Sequence, residues 1–465
     1  MVLVALAISS CCKPMPPPQI STDAEPEAPP RIVPDCEGEP ICWFHDDYPA
    51  AIAYAAQEQL PVVVDIWAPW CHTCLSMKHE VLAAPGIEPL ADRFVWLALD
   101  TDVEQNAPAL EQLTVSSWPT FYVVSPADES IQARYVGAAS LAQFREFLAV
   151  AEAGHLDAIE GGLAEDDPRY LLRRAERAVA AGELERADAL YGETLDAAPE
   201  DWPRRPDVLT ARIATRANRD DWKGCAELGL AEMERTGRSA SAGDFCFWAT
   251  HCASRLESTD LLREQIHMRA LERLASLADD DGAPLSADDR SDVLRLLREV
   301  QHATGDREAA ARTAERQRVL LDEAAAAART PEAASTYNWP RAEVYVFLKR
   351  GPDIIPALER SAADLPGDYD PPYRVAWVAL KTGDHDRALV AASRALELVY
   401  GPRKGRVLSL IADIHAARGD EDRERDFREQ ALAHCESQPA GHRSERAIEV
   451  ARAALAAMDD PPPAE

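Results

Sequence analysis

The chain reads as an α/β domain followed by a long all-α region. Three observations predict this. Over residues 43–153, apolar runs of strand character alternate with helical periods. One run, Val62-Val63-Val64-Asp65-Ile66-Trp67, leads into Cys71-His72-Thr73-Cys74. From about Gly161 onward Ala, Arg, Glu, Asp and Leu dominate and strand formers thin out. At 465 residues the chain is too long for one hydrophobic core, so two or three domains are expected.

Charge excludes one class of partner. Lys and Arg number 49 against 80 Asp and Glu, a net of −31. Phosphate binding needs clustered cations, so nucleic acid is not expected. Ten cysteines, several in close pairs, fit an oxidising compartment. No run reaches the roughly 20 apolar residues of a membrane-spanning helix.

The first ten residues, MVLVALAISS, are apolar and end in small residues before Cys11. They read as the end of a signal peptide. Ile8-Ser9-Ser10-Cys11 resembles the lipobox of bacterial lipoproteins, in which the cysteine is lipidated and becomes the new N-terminus. The resemblance implies a signal over residues 1–11, a lipid on Cys11 and a place on the periplasmic side of a bacterial membrane. Residues 12–42, rich in Pro, Glu and Ala, bury too little to fold and are expected to be a disordered tether. Cys36 and Cys42 flank a short loop there, as a surface disulfide or as two separate thiols.

Residues 43–153 follow as one α/β unit. A helix is expected over Tyr48–Gln59, from its alanines and the spacing of Ala51, Tyr54, Ala55 and Glu58. Pro61–Ala68 is a buried strand, apolar except at Asp65. His72–Ala84 is helical until Pro85-Gly86. Strands are expected over Phe94–Leu99, Phe121–Ser125 and Ile131–Val136. A short helix covers Ala107–Leu113, and Leu141–Ala153 closes the unit with Leu141, Phe144, Phe147 and Leu148 on one face.

Asp65-Ile66-Trp67-Ala68-Pro69-Trp70-Cys71-x-x-Cys74 resembles the active-site segment of thioredoxins. Trp118-Pro119-Thr120, 44 residues beyond Cys74, stands where that superfamily has a cis-proline. The continuation Cys74-Leu75-Ser76-Met77-Lys78 with Val81-Leu82 most resembles the C-terminal domain of DsbD-type thiol:disulfide interchange proteins. The resemblance covers about a quarter of the chain and implies a thioredoxin-like fold and thiol–disulfide exchange with a protein partner, fed by a membrane electron donor.

The chemistry follows from position. Cys71 would begin a helix, where unpaired N–H groups and the dipole favour a thiolate. Its pKa would fall from about 8.5 toward roughly 7. Cys71 is therefore the attacking thiol, and Cys74, one turn in, resolves the mixed disulfide. Asp65 is a lone carboxylate in an apolar strand. The resemblance gives it the role of proton acceptor for Cys74, although the lysine that thioredoxins place on the next strand is replaced, at the nearest match, by Ala98. A solvated strand-edge carboxylate is the alternative. Pro119, if cis, brings the backbone of Ser117 or Trp118 beside Cys71 to pair with an extended substrate. Trp70 and Trp118 would form an apolar docking surface round the thiols. His72 and Thr73, between the cysteines, tune the redox poise, a histidine favouring the thiolate. Zinc held by Cys71, Cys74, His45 and His79 lacks a separate second ligand pair, so no metal is expected. The redox-active disulfide Cys71–Cys74 needs no other cofactor.

Residues 161–458 are expected to be helical hairpins, with a short tail at 459–465. Gly182, Ala187, Tyr191 and Pro199 resemble a tetratricopeptide repeat, two helices round a glycine turn closed by proline. Similar spacing recurs through Trp377, Gly383, Ala388 and Ala395, around Gly419 with Ala412 and Ala431, and at Gly305 with Ala310. A hairpin stack without repeat homology is the competing reading. Such stacks offer a groove for a peptide or protein. Cys246 and Cys252 are near enough for a structural disulfide if a turn separates them. Cys225 and Cys435 carry no assigned role. Two functions fit: an exported, lipid-anchored thiol–disulfide oxidoreductase whose repeats bind the partner, or a binding scaffold whose thioredoxin-like domain docks with little turnover.

Overall fold

The computed structural model describes residues 33–36 and 41–459. The signal segment, Cys11, most of the expected tether and the last residues of the tail lie outside them. The described residues from Pro34 to Asp459 form one compact unit.

Five strands make the sheet: β1 (Trp43–His45), β2 (Val62–Trp67), β3 (Val95–Asp100), β4 (Thr120–Val124) and β5 (Ile131–Val136). Their spatial order is β1-β3-β2-β4-β5. β1, β3 and β2 run parallel, while β4 is antiparallel to β2 and to β5. The two-residue period sorts β2 between two cores. Val62, Val64 and Ile66 pack with Ala51, Ala55 and Leu110 on one side. Val63 packs with Met77, Phe121 and Phe144 on the other. Asp65 shares the face of Val63 and Trp67. β1, at three residues, is too short to show alternation in the sequence.

Helix α1 (Tyr48–Glu58) is capped by Asp47, whose side chain accepts from the Ala50 amide, and ends at Gln59 in the left-handed region. α2 (His72–Ser76) continues into a π-helical segment, Met77–Leu82, rather than one unbroken α-helix. The helix Leu141–Glu160 outlasts its expected end by seven residues and stops at Gly161.

The tether expected through residue 42 is ordered at its end. Asp35 bridges Trp43, Cys36 is bonded to Cys42, and Ile41 is buried. A closed loop with an apolar anchor offsets the entropy that composition alone suggests.

Beyond Gly161 the described residues form helical hairpins: Pro168–Ala180 with Leu184–Ala197, Arg205–Asn218 with Trp222–Glu232, and onward to Lys404–Ala417 with Glu421–Glu436. The repeat glycines sit in the turns. Gly182, Gly305, Gly383 and Gly419 all take positive φ, the conformation that ends a helix without a Cβ penalty. Residues 202–300 looked irregular because Asp220 fills that turn position with φ 60°, and the later turn at Lys349 does so with φ 59°. Cys252 bonds Cys225, not Cys246. Cys246 and Cys252 lie on one helix, Ala240–Ser254, where six residues rise about 9 Å, too far for a disulfide.

Candidate active site

β2 ends at Trp67, and Ala68, Pro69 and Trp70 carry the chain to Cys71 at the start of α2. Cys71 is the N-cap residue. Its Sγ accepts from the Cys74 amide at 3.0 Å and is bonded to the Cys74 Sγ. This is where a thiolate would be held by an orphan N–H of the first turn. Both cysteines are buried, Cys71 to 5% exposure. The Trp118–Pro119 peptide is cis. Ala68 and the two cysteines form one cluster with Trp67, Trp70 and Trp118, so the proline loop and the disulfide share a wall. Trp70 and Trp118 meet edge to face at 5.1 Å.

Beneath the disulfide, Asp65 is 8% exposed and its Oδ1 has no hydrogen-bond partner. It lines a cavity of about 260 Å³ with Cys74, Lys78 and Trp67, walled by Asp35, Ile41 and Trp43. Burial raises the Asp65 pKa to about 7, opposed by the charge of Lys78. Ala98 pairs with Asp65 in the sheet, so the neighbouring strand offers Asp65 no cation at that position. Lys78 supplies the cation from the opposite direction, four residues after Cys74 on the helix. It also stands 5.9 Å from the Trp67 ring centroid. The sequence held this signal, since residues four apart share a helix face.

The other predicted residues meet the helical region. Thr73 lines a cavity of about 270 Å³ with Ser117, Trp118, Asp244 and Asp289. His72 Nδ1 lies 2.8 Å from Asp288 Oδ1. Burial of the ring works against its charge, but Asp288 and Asp292 outweigh that and raise its pKa to about 9. The imidazolium is thus held by Asp288. His72, Asp288 and Asp292 bring one ligand atom each within 4.8 Å of one another. The imidazolium and Arg295, 3.1 Å from Asp292, already supply positive charge there. Ser76 Oγ is 3.2 Å from Ser286 Oγ, the cap of the helix that carries Asp288.

Trp70 is equally engaged. Its Nε1 donates to Asp102 at 3.0 Å, its carbonyl accepts from Arg374, and the Arg403 guanidinium lies 4.4 Å over its ring. Asp102 also accepts from Tyr369 at 2.5 Å, and Asp100 accepts from Tyr400 at 2.6 Å. Gly401, at φ 54°, lies so close to the Asp102 carbonyl that a Cβ would collide with it. The docking surface expected from Trp70 and Trp118 is therefore partly covered by the chain's own helices. Asp288, Asp102 and Arg403 had no local signal. Asp288 and Arg403 lie hundreds of residues from the thiols.

Residues 43–126 match the family model described as thioredoxin-like. No curated protein matches the chain. Among solved structures, a tetratricopeptide repeat protein from Parabacteroides merdae is 12% identical, covering 63% of this chain and 99% of its own, with a TM-score of 0.42. TTC0263, a tetratricopeptide repeat protein of Thermus thermophilus, is 15% identical over 62% of this chain and 99% of its own, at 0.24. These likenesses decide nothing further. The hairpin architecture rests on the chain's own helices and turns.

Proposed function

We propose that the protein is a thiol–disulfide oxidoreductase acting on an exported protein partner. One observation carries the reading: Cys71 and Cys74 are bonded at a helix start, beside cis-Pro119 and above the buried carboxyl of Asp65, whose Oδ1 has no hydrogen-bond partner. In the reducing direction, the Cys71 thiolate attacks one sulfur of a partner disulfide. That S–S bond breaks, the leaving sulfur takes a proton, and a Cys71–partner disulfide forms. Cys74 gives its proton to Asp65 and attacks Cys71, which frees the partner's second thiol and closes Cys71–Cys74. Two electrons pass to the partner, and a membrane dithiol donor of the DsbD kind would restore the pair. Run backwards, the same steps oxidise the partner. No cofactor beyond the disulfide is invoked.

Insulin reduction driven by dithiothreitol tests this. Wild type is expected to be active, and Cys71→Ser and Cys74→Ser inactive. Equal activity in wild type and Cys71→Ser would end the oxidoreductase reading.

A second reading keeps support from the covered face. Cys71 is buried and its neighbours Trp70 and His72 are held by the helical region. A scaffold whose repeats bind a peptide or protein, with a thioredoxin-like module of little turnover, would look like this. It predicts that Cys74→Ser captures no disulfide-linked partner. The bonded pairs Cys36–Cys42 and Cys225–Cys252 support an oxidising compartment. With the lipobox-like Ile8–Cys11 they support a lipid anchor on the periplasmic face, and Cys11→Ser should move the protein from the membrane to the soluble fraction.

A further inference from the structure

A cleft of about 1020 Å³ opens beside the thiols, at the upper end of ligand-pocket volumes. One wall is the thioredoxin-like edge: Trp70, Thr101, Leu110, Val115 and Trp118. The other wall comes from the last three long helices, Lys404–Ala417, Glu421–Glu436 and Glu445–Asp459. Trp70 and Trp118 also pack against the Cys71–Cys74 cluster, so these two rings stand between the cleft and the disulfide.

Its charge runs against that of the chain. In a protein of net −31, the cleft is lined by Arg403, Arg406, Arg428, Arg443 and Arg446. Arg428 is paired with Asp413 and Glu424, and Arg443 with Glu445. Among the described residues, Arg403, Arg406 and Arg446 have no carboxylate within ion-pair distance. The Arg403 Nε is buried without a hydrogen-bond partner. His442 is 8% exposed, lines the cleft, and leaves both ring nitrogens unpartnered. Three carboxylates oppose this set. Asp102 is taken up by Trp70 and Tyr369, Asp413 by Arg428, and Glu111 stands at the rim. Apolar surface lies between the cations, including Val450, which is 63% exposed.

We propose that this cleft binds an extended segment of the redox partner carrying acidic and apolar side chains next to its reactive cysteine. The proposal rests on the oxidoreductase reading for its cysteine and on the cleft alone for its charge. A single small anion fits less well, because Arg446 sits on a different helix from Arg403 and Arg406, with apolar Val450 lining the same cleft. A segment seated there would put its carboxylates on Arg403, Arg406 and Arg446 and its apolar side chains on Leu110, Val115 and Val450. Its cysteine would pass Trp70 and Trp118 to reach Cys71.

The test uses the full chain and synthetic peptides of one sequence in which the residues flanking a cysteine are Glu-Leu, Gln-Leu or Lys-Leu. The cysteine carries a thionitrobenzoate disulfide. With reduced Cys74→Ser, the Cys71 thiolate attacks the peptide sulfur, a Cys71–peptide disulfide forms, and the coloured thionitrobenzoate leaves. The glutamate peptide is expected to react at least tenfold faster than the lysine peptide. Arg406→Glu combined with Arg446→Glu, both exposed positions, should abolish or invert that order while thermal unfolding stays unchanged. A cysteine-free, fluorescent glutamate peptide should bind the oxidised wild type and not the double variant. That arm is independent of the redox reading: binding without thionitrobenzoate release ends the oxidoreductase, while insulin reduction without charge preference ends this proposal. Equal rates and equal binding for all three peptides would overturn it. So would complete displacement of the glutamate peptide by millimolar phosphate at constant ionic strength, which would make the cleft a small-anion site.

Discussion

At the scale of single residues, the Asp65 carboxyl is buried in the cavity it shares with Cys74, with its Oδ1 lacking a hydrogen-bond partner. A lone carboxylate in VVVDIW is conspicuous, and its burial follows from the two-residue period of a strand with both faces covered. What the sequence did not show is its counter-charge, because Lys78 approaches from the helix and not from the neighbouring strand. Burial raises the Asp65 pKa from the ordinary carboxylate range to about 7. The folded state therefore prefers the protonated form. That contribution is full below about pH 3.8 and is lost as pH rises through about 7. Asp65→Asn cannot charge, so it should be more stable than wild type at pH 8 by about 2–4 kcal/mol and nearly equal to it at pH 4. Denaturant melts at the two pH values measure this, and equal gains at both would refute the burial argument. The same variant should slow the Cys74 step in single-turnover reduction.

At the scale of elements, the turns decided what could be read. Hairpins closed by Gly182, Gly305, Gly383 and Gly419 were legible, because a glycine between two amphipathic helices has one obvious use. Those closed by Asp220 and Lys349 were not, although the backbone there does the same thing. The cysteines behaved likewise. Spacing alone pointed to Cys246 with Cys252, yet a continuous helix separates them, and the bond goes to Cys225 on the preceding helix. This bond ties Trp222–Glu232 to Ala240–Ser254 across a separation of 27 residues, the stretch where helix patterning is weakest. Closing a loop of that length removes about 3.5 kcal/mol of freedom from the unfolded chain. Cys225→Ala with Cys252→Ala should lower unfolding stability by roughly that amount, and a reductant should no longer shift the melt of this region. Unchanged stability in the double variant would mean that the buried apolar packing around it already fixes the two helices.

At the scale of the whole molecule, the thioredoxin-like domain and the helices are fastened at the redox face itself. No single-sequence pattern reports this, since His72 and Asp288 are 216 residues apart. The pair has a measurable signature. His72 is raised to about 9, with burial opposing and Asp288 and Asp292 prevailing. A raised histidine contributes stability that is full below about pH 6.5 and lost as pH rises through about 9. The shift corresponds to about 3 kcal/mol across that window. Asp288→Asn removes the main partner of a mostly buried cation, so it should lose most of that stability at pH 6.5 and meet or exceed wild type near pH 10, where Asp288 is itself a buried charge facing a neutral ring. Denaturant midpoints at pH 6.5, 8 and 10 give the two curves, and the His72 ring titration followed by NMR locates the midpoint. Parallel curves would show that the ion pair does not fasten the two parts. If the curves converge, a second consequence belongs to function. Above pH 9, or in Asp288→Asn at any pH, the helical region holds the redox face less tightly. Reduced Cys71 should then be alkylated by iodoacetamide several-fold faster than in wild type, after correction for its own thiolate fraction. Equal alkylation would mean that the contacts of Trp70 with Arg374, Arg403 and Asp102 keep the site closed without His72.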